Sequence, residues 1–399
     1  MPISRRKFIQ VGSLASASLM LPQFLRGFQY QAPAQRSNHK ILVVIQLSGG
    51  NDGLNTVVPY RNDIYYKSRP TLALPADKIL TLTDDTGLNP ALKGLKQQYD
   101  DGHLSIINGV GYPDPNRSHF RSMDIWQTGS TASEMLTTGW LGRYLDTRSA
   151  GQQHNALAIE VDDTLSLALK GDERSALAVQ NIETFHAAAT TPYFKKIASH
   201  ADEHEEKLAG YLYKTLAETT SASDYLYQIN KVKATGQTYP TTGIGKRLKT
   251  IGALINADAE TQVYYVSHGS FDTHVGQADR QTRLFTQLDD ALTPFIADLK
   301  ANGKFEDVLI MTFSEFGRRV EQNASNGTDH GTAGSMFMIG GSLKKPGLYN
   351  PLPNLSMLDA GDLEHSIDFK QVYTTVLEKW LQADGKAVLG RRYTGLDFI

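Results

Sequence analysis

Cysteine is absent from all 399 residues, which removes disulfides, thiolate nucleophiles and cysteine-ligated zinc from the chemistry open to this chain. An excess of positive charge is missing too. Lys and Arg number 40 against 42 Asp and Glu, so no basic face points to a nucleic-acid partner. The glycine-rich segment SGGNDGLNT at 48–56 has neither GxGxxG spacing nor a Lys-Ser/Thr ending, which sets aside the phosphate loops of nucleotide-binding proteins. No internal repeat or low-complexity tract is evident. The uncharged segment 11–21 is too short to span a bilayer.

What is present begins with Ser4-Arg5-Arg6-Lys7-Phe8, an apolar segment and a small-residue site at Ala32-Pro33-Ala34. The three regions in this order resemble a twin-arginine signal over residues 1–34, with retention as an uncleaved anchor as the alternative. Export to the periplasm or beyond is therefore expected, with the twin-arginine export machinery as a partner and no stable membrane span in the mature chain. Removing the segment takes away Arg5, Arg6, Lys7 and Arg26 and moves the formal charge from −2 to −6. Without disulfides, a chain of this length is long enough to bury a large core unaided.

Short, mostly apolar runs predict buried strands at 41–47, 104–108, 156–161, 263–266, 308–313 and 336–339. Helical spacing lies between several of them, so the fold expected is α/β, doubly wound around a mostly parallel sheet. Leu284, Phe285, Leu288, Leu292, Phe295, Ile296 and Leu299 predict a helix that Pro294 should kink or divide. From strand 263–266 through it to strand 308–313 a right-handed crossover is expected. The stripe Phe369, Val372, Tyr373, Val376, Leu377, Trp380, Leu381 predicts a packing helix, with His365 a turn or capping residue before it. Residues 181–259 are polar and helical in spacing, as at Leu208, Leu212 and Leu216. They are expected to form a helical insertion in the domain 40–399, either capping the site or supporting the sheet.

Polar clusters fall where these strands should end. Asp272 and His274 follow the fourth run, Ser314-Glu315 with Arg318 the fifth, and Asp329-His330 lies in a Gly-rich loop just beyond. Carboxyl ends of parallel strands share one edge, which is where open α/β sheets bind ligands. Oxygen and imidazole together suit a divalent metal ion. Each pair alone also fits a surface ion pair or an Asx turn. Asp52 or Asn55, in the first glycine-rich loop, could meet a cation or an oxyanion. Ser118 and His119 open a helical run, where backbone N–H groups favour an anion; Ser118 could equally be only a cap.

Taken together, SRRKF, LSGGNDGLNTVVPY, RSHF with WQTG, FDTH, FSEFGR, GTDHG and DFKQVYTTVLEKWL resemble the exported bacterial family called domain of unknown function fifteen-oh-one, over essentially the whole mature chain. That family is similar to the alkaline phosphatase and sulfatase superfamily, and the resemblance implies a metal-centred site that hydrolyses or transfers phosphate or sulfate esters. It implies that Asp272 and His274 match the mid-chain metal motif and that His330 matches the later histidine. The strand-end Asp-His pair falls on Glu315 and Phe316, the first-strand aspartate on Ser48 with Asp52 nearby, and the nucleophile turn on RSHFRSMDIWQTG.

The function expected is an exported metal-dependent hydrolase of an anionic small-molecule or polymer ester. A non-catalytic binding or assembly protein on a degraded phosphatase-like fold is the alternative. Asp272, His274, Glu315 and His330 are expected to hold a divalent ion (zinc, manganese, magnesium or calcium), with Asp329 and Asp52 beside it. His119, Ser118 and Arg318 are expected at the anionic group.

Overall fold

The structure, a computed structural model, describes residues 40–148, 156–173, 176–194, 207–233 and 235–399. The signal-like segment 1–34 lies outside them, as do the side chains of Leu208 and Leu212. The core is a nine-stranded sheet in the order 347–348, 104–111, 334–339, 308–313, 41–47, 263–268, 158–160, 177–178, with 367–368 also paired to 104–111.

Ile41–Leu47 sits centrally, parallel to Val263–His268 on one side and Val308–Phe313 on the other. All seven of its residues are buried. Ile41, Val43, Ile45 and Leu47 face one core, and Leu42 and Val44 face the other. That period of two explains the nearly continuous apolar run: both faces of the strand are covered, and its single polar residue, Gln46, is buried with Gln127 and Tyr265 as hydrogen-bond partners.

Helices Lys93–Asp100, Gly243–Asn256 and Gln277–Ala301 supply the first core. His119–Thr128, Trp140–Asp146 and Phe369–Thr375 supply the second. The α/β, mostly parallel architecture expected from the sequence is the one observed.

Two local expectations change. Pro294 does not divide its helix, which runs unbroken over 25 residues; a proline costs one backbone bond, and the apolar stripe of Leu288, Leu292, Phe295, Ile296 and Leu299, all buried, outweighs it. Strand Gly334–Ile339 runs antiparallel to both its neighbours. The chain turns back through the hairpin of Arg318–Gln322 with Thr328–His330 instead of crossing over by a helix.

Residues 181–259 hold helices Ile182–Ala189, Lys207–Val232 and Gly243–Asn256. None of the contacts described below for the site comes from them. Among the described residues, no helix is long and apolar enough to cross a membrane.

Candidate metal centre

Four parallel strands deliver their ends to one place: 41–47 leads to Gly49 and Gly50, 263–268 to Asp272 and His274, 308–313 to Glu315, and 104–111 to His119. The hairpin adds His330. Close approach requires the two glycines. Gly49 has φ +120° and Gly50 φ +71°, and a Cβ would strike the Asp272 backbone at the first and the Phe316 ring at the second.

Asp272 Oδ1 is the hub. It lies 3.5 Å from His119 Nε2, 3.1 Å from His274 Nε2 and 3.3 Å from His330 Nε2. The Nε2 atoms of His274 and His330 are 2.9 Å apart. The ligand atoms of His119, Asp272 and His330 all fall within 4.8 Å of one another.

The far nitrogen of each ring is spoken for. His119 Nδ1 faces Glu315 Oε1 at 2.8 Å, His274 Nδ1 faces Asp329 Oδ1 at 3.2 Å, and His330 Nδ1 donates to the Arg117 carbonyl at 2.7 Å. A carbonyl or carboxylate partner keeps the proton on Nδ1, so in the neutral rings three Nε2 lone pairs face one carboxylate. Such lone pairs repel at these distances unless positive charge lies beside them; Arg318 supplies it to Asp272 and His274, at 2.7 and 3.4 Å, but not to His119. His119 Nε2 is buried and has no hydrogen-bond partner. The Asp272–His119 and Asp272–His330 separations fit an ion, since tetrahedral bonds of about 2.0–2.2 Å set ligand atoms roughly 3.3–3.6 Å apart, whereas His274 Nε2 lies closer, at 3.1 Å from Asp272 and 2.9 Å from His330.

Electrostatics favour the ligand forms of Asp272 and His330 but the protonated form of His119. Partial burial works to raise the Asp272 carboxyl, but the hydrogen bond and charge of Arg318, with His330 and His274, outweigh it and hold it at about 2. Burial lowers His330, which favours the neutral ring. The Glu315 hydrogen bond raises His119, making it the more basic donor. Asp329 is lowered, chiefly by the hydrogen bond from Asn323.

Several expected roles shift. Glu315 is not placed to hold an ion directly: its Oε1 accepts from both the Gly49 N–H at 2.8 Å and His119, and its Oε2 lies 3.2 Å from Ser314 Oγ. It pairs with His119 Nδ1, so His119 rather than Glu315 turns an atom toward Asp272 Oδ1. Asp329 stands one bond behind, through His274.

Asp52 is not among these groups. Its carboxylate is gripped by Arg69 at 2.6 and 3.0 Å and by Gln277, and it caps the turn at Leu54. Arg318, expected to reach for an anion, is 1% exposed. It donates to the carbonyls of Gly49, Gly50, Phe271 and Thr328 and to Asp272, and its second Nη1 N–H faces His274 Nε2 at 3.4 Å, so its N–H groups are turned to protein acceptors.

Ser118 is exposed at the N-cap of its helix, and its hydroxyl caps nothing. The sequence offered no sign of Arg117, whose contribution is a backbone carbonyl, or of Asn323. The latter's amide holds the His274 carbonyl at 3.0 Å and Asp329 at 3.1 Å.

Among solved structures the chain is similar to the lipoteichoic acid synthase LtaP from Listeria monocytogenes, at 10% identity over 78% of this chain and 67% of that one, with TM-score 0.35. It is similar to the phosphonate monoester hydrolase SpPMH from Silicibacter pomeroyi, at 10% identity over 90% and 78%, TM-score 0.40. It is likewise similar to a protein in the alkaline phosphatase superfamily from Vibrio parahaemolyticus, at 10% identity over 76% and 60%, TM-score 0.31. These likenesses are distant, and nothing about the site's chemistry rests on them. No curated protein sequence matches the chain. The family model described as "Protein of unknown function (DUF1501)" matches residues 105–388, and the chain belongs to that family.

Proposed function

We propose that the chain is an exported, metal-dependent hydrolase of phosphate, sulfate or related esters. One observation carries the reading: three imidazole Nε2 atoms converge on Asp272 Oδ1, and each ring is locked from behind by its own acceptor. A lone surface ion pair needs no such second layer; a metal centre does. The residues that fit a divalent ion are His119, Asp272, His274 and His330. A bound dication would polarise an ester oxygen and offset the charge that builds in the transition state.

Glu315, Asp329 and the Arg117 carbonyl hold the rings. Ser118, exposed with its hydroxyl uncommitted next to His119 at the start of a ten-residue helix, would contact the anionic group or an attacking water.

The second reading, a non-catalytic binding or assembly protein, draws on the commitment of every Arg318 N–H to protein acceptors, which leaves that arginine nothing to offer the anion. Purified protein supplied with a panel of phosphate and sulfate esters separates the two. The hydrolase reading expects turnover that His330→Ala abolishes, and its complete absence with metal bound supports the binding protein.

A further inference from the structure

We infer that this centre holds a single ion, of the class that prefers imidazole nitrogen, and that the Arg318 guanidinium stands where a second cation would otherwise sit. The inference rests on the metal reading above and not on hydrolysis. Three imidazole nitrogens lie around one carboxylate oxygen, so nitrogen dominates the donor set. Magnesium and calcium take oxygen ligands almost exclusively, whereas imidazole suits zinc and its transition-metal neighbours.

Among the described residues little remains for a second ion: Glu315 is held by Gly49 and His119, Asp52 by Arg69 and Gln277, and Asp329 Oδ1 by His274 and Asn323. The fourth side is a hydrocarbon wall. The Phe316 ring, 2% exposed, packs at 4.8 Å from His119 and 4.7 Å from His330, centroid to centroid.

Positive charge does stand beside the group. Arg318 Nη2 lies 2.7 Å from the same Asp272 Oδ1 that the imidazoles surround, and Nη1 lies 3.4 Å from His274 Nε2. Four backbone carbonyls fix the guanidinium, so it cannot swing away when an ion enters. Asp272 Oδ1 would then bridge one mobile and one permanent cation, much as a carboxylate bridges two metals in a two-metal centre. Arg318 acts on a substrate through this charge alone and is a positioning residue.

The test is calorimetric titration of full-length protein stripped with a chelator, using zinc chloride and magnesium chloride as the probes. One zinc per chain is expected, bound on the order of 100-fold or more tighter than magnesium. Arg318→Gln, with folding followed by circular dichroism, removes the competing charge and should tighten zinc by about tenfold or more. Arg318→Lys keeps the charge and should stay near the wild-type affinity; the pair separates charge from packing.

Two zinc ions per chain, magnesium binding as tightly as zinc, or weaker zinc binding in a folded Arg318→Gln each overturn the inference while leaving a metal centre in place. If Arg318→Gln fails to fold, wild-type stoichiometry and selectivity decide. A folded chain that binds neither ion overturns the metal reading itself.

Discussion

Asp52 and Asp272 each follow a parallel strand by a few residues and each pair with a buried arginine, yet they end in opposite states. Asp52 is 1% exposed, and Arg69, Gln277 and the Leu54 N–H use both its oxygens. Asp272 keeps a side chain 47% exposed, and the groups around its Oδ1 include three imidazoles that have no proton to give it in their neutral form. The first pair is closed and structural. The second is open, with lone pairs left over. A carboxylate next to an arginine therefore says little by itself; what separates structure from function is whether the donors around it satisfy the acceptors.

The largest expected effect breaks the closed pair. Asp52→Asn strands the Arg69 charge in full burial, and unfolding stability should fall by about 3–5 kcal/mol, read by urea denaturation. Asp272→Asn should cost no more than about 1 kcal/mol by the same measurement, because its site is half open and Arg318 keeps its carbonyl partners. Equal losses at the two positions would erase the distinction.

Glu160 sharpens the comparison, as a buried carboxylate hydrogen-bonded only to Ser166. Burial pushes it up from 4.5 to about 7. The folded chain then holds the proton that the unfolded chain releases, so its contribution to stability is lost as pH rises from about 4.5 through 7, by roughly 3 kcal/mol in all. Glu160→Gln should flatten that slope and raise the melting temperature at pH 8. A wild-type slope of the opposite sign, unchanged in the variant, would contradict this assignment.

The smallest effect concerns the second layer. Asp329→Asn frees the His274 ring without touching a ligand atom, and zinc affinity should drop about 10- to 100-fold with the fold unchanged. Unaltered affinity would leave His274 outside the centre.

Much of the fold was legible because burial on both faces of a parallel strand favours nearly continuous apolar runs, as in Ile41–Leu47 and Val308–Phe313, each with a single buried polar residue. The direction of Gly334–Ile339 was not, since the twenty residues between strand ends could hold either a hairpin or a crossover. At the site the residue types stood out, but their order around the centre did not. Whether Glu315 or His119 faces inward depends on Gly49, whose N–H claims the carboxylate from 266 positions away. Asp52 gave no hint that Arg69, seventeen residues on, would consume it.

Elemental analysis of the purified chain after zinc loading and dialysis decides whether His119, Asp272, His274 and His330 form one metal centre. One ion per chain is expected, lost in both Asp272→Asn and His330→Ala while circular dichroism stays unchanged. A folded wild-type chain that retains no ion, or variants that retain it as fully as wild type, would contradict it.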